Sequence, residues 1–451
     1  MRIYGITFLL ILAVFRSAEA RIIEVGSPDD MRLAIEKPEP GDTIHLNDGL
    51  YTGQFTLTEP VVIIGISNAV IDGQGRGDVL TLTSDSIVVR GVIIQNSGTR
   101  LLKDHAGIKI TGDHVEITEC TIRDILHGIY VKGGDSAYIH NNTIIGRMNI
   151  QESDRGNGIH LWQTSGNLLT NNDISFARDG IYFSFAHRTG ISKNHIHHLR
   201  YGLHYMYSDS NTFEDNIFDN NVAGSALMYS KDIEFRRNIF AHCRGFRAYG
   251  ILLQSVDHCL AEENLILDNS RAIFFDDANY NRFESNDIVQ NDLAVQINAS
   301  CEENTLVNNN FISNLSEVTM DASIINSTYW TEDGRGNFWS AYDGYDIDGD
   351  GVGDVSYQLQ SVFEYIELDY PAVRFYLYSP ASQLLAVAEK RLPILRKSTV
   401  ADTLPIFRLL ANEGVPWEKL DKYTANSASV HVVIWILALL VPPGLMWRVR
   451  R

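Results

Sequence analysis

Histidine and methionine side chains that could bind a metal ion recur in this sequence at multiples of 22 residues. Met206 and Met228 are 22 residues apart, His204 lies two residues before Met206, and His160 lies 44 residues before His204. Thioether sulfur and imidazole nitrogen together favour monovalent copper and disfavour calcium, magnesium and manganese. These residues therefore predict a copper site, provided that a structural repeat of 22 residues brings them to one face.

Two other interpretations of such residues stay open. Met206 and Met228 would equally suit a surface for a partner protein, because methionine packs adaptably at interfaces. A second imidazole group offers further candidate copper ligands, although histidines on a solvent-facing turn are also common without a metal. This group consists of His195, His197, His198 and His242.

Asparagine residues recur with the same spacing, and they indicate the stacked coils of an all-β, right-handed parallel β-helix. They are Asn172, Asn194, Asn216, Asn238, Asn264 and Asn286, with one interval of 26 residues and the others of 22. A small residue follows most of them after eight positions, as Gly180 follows Asn172. Short alternating apolar runs suit strands, and such a period indicates repeated units that stack. We expect the asparagines to form an amide ladder at one corner, with Cys120 in an equivalent position.

The repeat predicts which side chains face outward. Since the ninth and eleventh residues after each ladder asparagine are aliphatic, the tenth and twelfth should point away from the interior. His160 and His204 are tenth residues, and Met206 and Met228 are twelfth residues. Two insertions, at residues 148–155 and around residues 242–244, must leave the coils as loops, which commonly line a working face.

The rest of the chain divides into a leader, a cap and a tail. Residues 1–20 combine an apolar run with an Ala-x-Ala site, which predicts a cleaved signal peptide and export. We assign residues 21–335 to the β-helix, begun by a short helix from Pro28 to about Ile35, and residues 336–370 to a capping region. Residues 371–428 should form a small helical tail that includes a helix from Pro380 to about Arg391. Residues 429–451 are apolar with terminal arginines and predict a membrane segment, or one docked on a membrane partner.

Alternating acidic residues in the capping region resemble a calcium-binding turn. Asp346, Asp348, Asp350 and Asp354 surround turn glycines, but Tyr357 stands where a calcium-binding helix–loop–helix has a bidentate glutamate. The segment predicts a structural calcium ion.

An enzyme acting on polysaccharide is the competing class of function. It would use Asp276 and Asp277 with Gln254 and Asn298 nearby, since glycosidic chemistry commonly needs two carboxylates. An acidic pair at a turn is also an ordinary solvated corner, and we expect no catalytic residues. The net charge of −19 argues against nucleic acid as a partner.

Several segments together resemble the periplasmic NosD family of nitrous oxide reductase maturation. The most specific are the runs at residues 41–51, 158–162, 201–208, 336–340 and 343–350. The resemblance implies a protein in the periplasm, associated with the inner membrane on the outer face of an ABC transporter. The implied partners are the transporter permease, its ATPase, a copper-carrying lipoprotein and nitrous oxide reductase.

The resemblance also implies a role for the outward residues. A protein of this kind would receive monovalent copper and pass it on during assembly of the copper-sulfur centre of the reductase. His204, Met206 and Met228 would then hold the copper, and His160 would extend the same face. A docking scaffold for the permease and the reductase, without any metal, is the alternative.

Overall fold

The β-helix predicted from the repeat is confirmed by the structure, a computed structural model. It describes residues 20–298, 300–320, 327–359, 366, 370–376, 379–391 and 400–419. These residues form a parallel β-helix of about 14 turns with little helix. The predicted membrane segment and nearly all of the predicted signal peptide lie outside the described residues.

Three parallel faces run the length of the stack. Face A contains the outward residues singled out above and consists of strands Phe55–Leu57, Leu80–Leu82, Ala106–Ile110, His127–Lys132, Asn157–Ser165, Asp179–His187, Tyr201–Met206, Ala223–Arg236, Tyr249–Glu262, Ile273–Asp276, Leu293–Ile297 and Ser316–Met320. The two 14-residue strands, Ala223–Arg236 and Tyr249–Glu262, continue around the corner into face C.

Face B directly follows the ladder asparagines. Its strands are Gly49–Thr52, Ala69–Asp72, Ile93–Gln95, Thr121–Arg123, Thr143–Ile145, Asp173–Ser175, His195–His197, Ile217–Asp219, Ile239–Ala241, Leu265–Leu267, Asp287–Val289, Asn310–Ile312 and Phe338–Trp339. Face C completes each coil with strands Ile22–Val25, Thr43–Leu46, Val62–Gly65, Val88–Arg90, Glu116–Thr118, Tyr138–His140, Leu168–Thr170, Gly190–Ser192, Thr212–Glu214, Arg282–Glu284 and Thr305–Val307.

The asparagine ladder is confirmed, and it is buried. The backbone N–H of Asn194 donates to Oδ1 of Asn216 at 3.0 Å, and the N–H of Asn216 donates to Oδ1 of Asn238 at 3.0 Å. Cys120 occupies a ladder position as predicted, because its N–H donates to Asn142 Oδ1 at 3.0 Å. Similar amide bonds at the other corners, such as Asn269 N–H to Asn291 Oδ1, were not predicted.

Close stacking explains the small residue in each repeat. A Cβ atom added at Gly180 would lie 2.5 Å from a methyl carbon of Ile196 and 2.6 Å from the carbonyl oxygen of Gly202. Because a larger side chain has no room there, the position accepts only small residues. Inside the coils, aromatic residues continue the stacking, as Phe218 and Phe240 do with ring centroids 4.9 Å apart.

The two insertions both leave the coils as loops, but the second begins later than predicted. Residues 147–156 form the first loop, which includes the 3₁₀ helix Glu152–Asp154. His242 and Cys243 instead keep regular corner positions, because the N–H of Cys243 donates to Asn269 Oδ1 at 2.9 Å. The four extra residues therefore lie within 244–248, after the regular corner has been completed.

A helix covers the N-terminal end of the stack. The predicted N-terminal helix spans Pro28–Glu36, with Ser27 as its N-cap and with Met31 and Ala34 buried against the first coils. The predicted tail helix spans Pro380–Arg391 and follows the 3₁₀ helix Pro371–Tyr376; a 3₁₀ turn, Leu101–Lys103, lies in an early loop. Among the described residues, no helix is long and apolar enough to cross a bilayer.

Residues 400–419 return to the body instead of continuing a separate helical tail. Strand Ala401–Asp402 pairs antiparallel with Tyr357–Gln358, and only residues 417–419 of this segment are helical. The segment crosses face B, where Trp417 Nε1 donates to Asp287 Oδ2 at 2.6 Å and Lys419 Nζ pairs with Asp215 at 2.7 Å. Its buried Asp402 accepts the N–H of Asn337 at 2.7 Å and so terminates the asparagine ladder.

The substitution Asn216→Ala should lower the free energy of unfolding by about 3–5 kcal/mol, because it leaves several buried polar groups without partners. Asn216 accepts two hydrogen bonds from Asn194 and donates to Ile191 O and Asn238 Oδ1. Urea unfolding followed by circular dichroism measures the change. The exposed Asn68→Ala should change stability by less than about 0.5 kcal/mol, and equal effects of the two substitutions would contradict a stabilising ladder.

Candidate functional site

The outward row predicted on face A is present in the register expected. Tyr182 pairs with His204, and Met206 pairs with Met228 on the next coil. His204, Met206 and Met228 are all half-buried, so they are held by their neighbours but remain open to solvent on one side. Adjacent coils lie about 4.8 Å apart, which brings the two thioethers within reach of one ion.

A buried carboxylate orients His204. Asp179, which is fully buried, accepts a hydrogen bond from His204 Nδ1 at 2.9 Å and two from Arg200 at 2.9 and 2.7 Å. Burial acts to raise the pKa of Asp179, but the hydrogen bonds from His204 and Arg200 hold it below the usual range. With its Nδ1 proton engaged, His204 leaves the Nε2 lone pair available, which is the arrangement of metal-binding histidines backed by a carboxylate.

Tyr182 separates His160 from His204. Its ring contacts both imidazoles edge-on, with centroids 4.7 Å from His160 and 4.8 Å from His204, and its hydroxyl lies 3.8 Å from Met206 Sδ. His160 is therefore two coils from His204, and the structure does not bring all four predicted ligands together. His204, Met206 and Met228 lie on two adjacent coils, and we call them the face A triad.

His160 belongs to a neighbouring groove of about 490 Å³. The groove is lined by Leu101, Asp104, His127, Tyr130, Lys132, Asn157, His160, Trp162, Arg178, Tyr182 and His204. It adjoins the face A triad through His204, whereas Met206 and Met228 lie beyond its lining. Asp104 and Leu101 come from an early loop, so coils and loop together form this groove.

His160 is held neutral within the groove. Its side chain is 7% exposed, and burial lowers its pKa to about 3. Tyr130 stacks on one side at 4.4 Å between centroids, and Nε2 has no hydrogen-bond partner among the described residues. His127 nearby accepts the N–H of Asn157 at Nδ1, so its proton lies on Nε2, which faces Asp104 at 3.8 Å.

The second imidazole group divides between two places. His195 and His197 lie on one strand of face B with their rings stacked at 4.0 Å, beside Asp173 of the preceding coil. His198 occupies the next corner and approaches His197. His242 lies two coils further on, where a hydrogen bond to Asp219 raises its pKa above the usual value.

The acidic turn brings three of the four predicted calcium ligands together. Oxygen atoms of Asp346, Asp348 and Asp350 lie within 4.8 Å of one another, with Gly349 and Gly351 at positive φ as a sharp turn requires. Asp354 is not part of this group, and its Oδ2 accepts the N–H of Ile347 at 2.6 Å. The oxygen-rich group suits a hard cation such as calcium.

The acidic pair considered for an enzyme lies at the end of a strand. Asp276 is the last residue of its strand and pairs in register with Gln254, while Asp277 takes a left-handed conformation at the corner. Asn298 contacts Asp276 at 3.5 Å, and Ser255 donates to Asp277 at 3.0 Å. Both carboxylates thus bond to neighbouring coils, as solvated corner residues commonly do.

Several residues of the site could not be identified beforehand from the soft-ligand pattern. Asp179, Arg178 and Arg200 support the histidines, and Asp104 and His127 complete the groove. Asp179 lies seven residues after ladder asparagine Asn172, so its row is visible in the repeat. Its role could not be predicted because the same position in successive coils holds a histidine, an asparagine, an aspartate and a tyrosine, which share no chemistry.

Comparison with known proteins gives one consistent family. A family model described as periplasmic copper-binding protein (NosD) matches residues 144–344. A probable ABC transporter binding protein NosD of Pseudomonas aeruginosa is 34% identical over 410 residues, covering 85% of this chain and 95% of that protein. A protein of the same name from Stutzerimonas stutzeri is 31% identical over 412 residues, covering 88% of this chain and 92% of that protein.

Solved structures resemble the chain in fold alone. The catalytic unit of a family GH87 alpha-1,3-glucanase from Streptomyces thermodiastaticus is 14% identical with a TM-score of 0.52, covering 72% of this chain and 69% of that one. The N-terminal fragment of bacteriophage phi29 gene product 12 is 12% identical with a TM-score of 0.52, covering 67% and 62%. These identities are too low to transfer an activity.

Neutral His160 should make the protein more sensitive to acid. The unfolded histidine has a pKa near 6.5 and the folded one about 3, so protonation favours the unfolded chain as pH falls below 6.5. Between pH 7 and pH 5 this lowers the free energy of unfolding by about 2 kcal/mol. Urea unfolding at both pH values should show that His160→Phe loses about 2 kcal/mol less than the natural chain. The exposed His258→Phe serves as the control, and identical pH dependence in all three proteins would refute a neutral, buried His160.

Proposed function

The chain belongs to the NosD family, and from that premise we propose that it is a periplasmic partner of an ABC transporter that receives monovalent copper and passes it on. The observation that carries the proposal is the face A triad. It combines one imidazole, oriented by a buried carboxylate, with two thioethers aligned on adjacent coils. The family description names copper, and this donor set has the softness that monovalent copper prefers.

Transfer requires a site that is held in place but remains accessible. The coil backbone fixes His204 and Met206 at alternate positions of one strand, and Asp179 fixes the imidazole. The outer sides of His204, Met206 and Met228 stay open, so a donor protein can present copper directly to them. Three neutral ligands bind the ion without adding a charge that a recipient would have to overcome.

An exposed aromatic stack beside the triad supports docking of a partner protein. Phe185, Tyr207 and Tyr229 follow the twelfth residues of three successive coils, with centroids 5.3 and 5.2 Å apart. All three side chains are exposed, although aromatic residues usually bury most of their surface. Aromatic residues are enriched where protein surfaces meet. The stack therefore also suits the second candidate function, a docking scaffold without a metal.

More specifically, we propose that the chain acts in assembly of the copper-sulfur centre of nitrous oxide reductase. The sequence resemblance supports it, and the groove with Trp162 and Tyr182 beside His204 offers a second surface for an exchange partner. In this proposal the permease and its ATPase hold the chain at the membrane and supply the energy. A copper-carrying lipoprotein and the reductase then contact face A in turn.

The full chain, titrated anaerobically with monovalent copper against a chelator, should bind one ion at the face A triad. Replacing His204, Met206 and Met228 together by alanine should abolish this binding, while Met148→Ala, an exposed loop methionine, should leave it unchanged. Asp179→Asn should weaken binding by about 10-fold to 100-fold, because the imidazole loses its orienting partner. Copper affinity and thermal melting are measured on each variant, so that misfolding is recognised.

The same variants separate the two candidate functions. If the triple variant binds copper as tightly as the natural chain, the triad is not the copper site. If it loses copper but still supports maturation of the reductase in cells, the scaffold explains the function better. Substituting Phe185, Tyr207 and Tyr229 by serine tests docking independently, since copper affinity should persist while copurification with the permease or reductase is lost.

A further inference from the structure

Three possible metal ligands converge on face B, away from the face A triad. Asp173 lies on one coil, and His195 and His197 occupy alternate positions of the strand on the next coil. One donor atom from each of the three lies within 4.8 Å of the other two, and all three side chains are half-buried. The 22-residue repeat places Asp173 directly opposite His195, so neighbouring strands hold the group together.

The distances between these donor atoms are compatible with a shared ion. His195 Nδ1 lies 3.2 Å from Asp173 Oδ2, and His197 Nε2 lies 3.4 Å from Asp173 Oδ1. Hydrogen bonds between charged nitrogen and carboxylate are shorter, about 2.7–2.9 Å. Two ligands bound tetrahedrally at about 2.0–2.1 Å from one ion are about 3.3 Å apart. The two nitrogen–oxygen distances lie on either side of that value.

The hydrogen bond to His198 sets the tautomer of His197. The Nδ1 atoms of these two residues are 2.7 Å apart, so one proton lies between them. When His197 Nδ1 donates that proton to His198, Nε2 of a neutral His197 carries no proton. A neutral His197 then directs the lone pair of Nε2 at the carboxylate of Asp173. A lone pair facing a carboxylate needs a cation between them, which is either a proton or a metal ion.

We propose that Asp173, His195 and His197 form a site for a divalent ion of intermediate softness, of the class of Zn²⁺ and Cu²⁺. Two imidazoles and a carboxylate suit such ions, whereas the thioethers of the face A triad suit monovalent copper. His198 is a positioning residue that orients His197, as outer hydrogen bonds do in metal sites. A cavity of about 360 Å³ lies beside His195. The proposal does not depend on copper binding at face A.

The alternative is that protons alone occupy the group. Asp173 would then accept one hydrogen bond from an N–H of His195 and one from an N–H of His197. That arrangement would bind no metal ion selectively.

Calorimetric titration of the full chain with zinc chloride should show one tight site, and cobalt chloride should give the intense visible absorption of a tetrahedral ion. His197→Ala and Asp173→Asn should each lower zinc affinity more than about 100-fold. His198→Ala should lower it by about 10-fold to 100-fold, since the ligand remains but loses its orientation. The triple alanine variant of the face A triad should bind zinc normally.

The matched control is His258→Ala. His258, like His198, lies at a corner with positive φ and stacks on an aromatic ring, but the described part of the chain shows no ion pair to it. Zinc affinity equal to that of the natural chain is expected for this variant. The proposal is overturned if the natural chain binds no zinc, or if His197→Ala and His258→Ala retain the same affinity. Unchanged thermal melting of each apo variant shows that a lost site does not reflect misfolding.

Discussion

From Asn142 to Asn337, successive coils are joined by buried asparagines whose side chains bond to the coils on either side. The carboxamide oxygens of Asn194 and Asn216 accept N–H bonds from the preceding coil, and their NH₂ groups donate to backbone carbonyls and to the following asparagine. A one-residue shift in the register between adjacent coils would leave these amide groups unpaired in the interior. The free energy lost in this way exceeds what other contacts of the stack could restore. The ladder therefore determines the register, and register determines which side chains meet on the outside.

The outward row on face A could be predicted for this reason. A constant period aligns Met206 with Met228 and Tyr182 with His204 without any knowledge of side-chain conformations. The support of His204 could not be predicted in the same way. Asp179 lies 25 residues earlier and at another point of the coil, and its hydrogen bond depends on the direction that the imidazole takes. Likewise, periodicity alone does not show that Tyr182 separates His160 from His204.

Segments outside the repeat account for the other differences between the sequence predictions and the structure. The residues inserted after Cys243 lie later than expected because both corner hydrogen bonds of that coil are kept, and only then does the chain leave it. Residues 400–419 have no repeat, so their contacts with Asp287 and Asn310, 100 to 130 residues earlier, leave no signal in the spacing. Strand periodicity predicts neighbours one coil apart, whereas these contacts depend on shape and burial.

Residues 400–419 provide the acceptor that terminates the asparagine ladder. The last coil would present the N–H of Asn337 and the indole N–H of Trp339 to the interior without acceptors, and Asp402 accepts both. The segment is thus part of the β-helix, although it lies 65 residues from Asn337. From Asp402 the chain runs along face B to Lys419, which pairs with Asp215 beside the cavity that His195 lines. Asp402, which terminates the stack, and Lys419, which borders the cavity beside His195, therefore belong to one continuous segment. A partner that displaces this segment must disturb both.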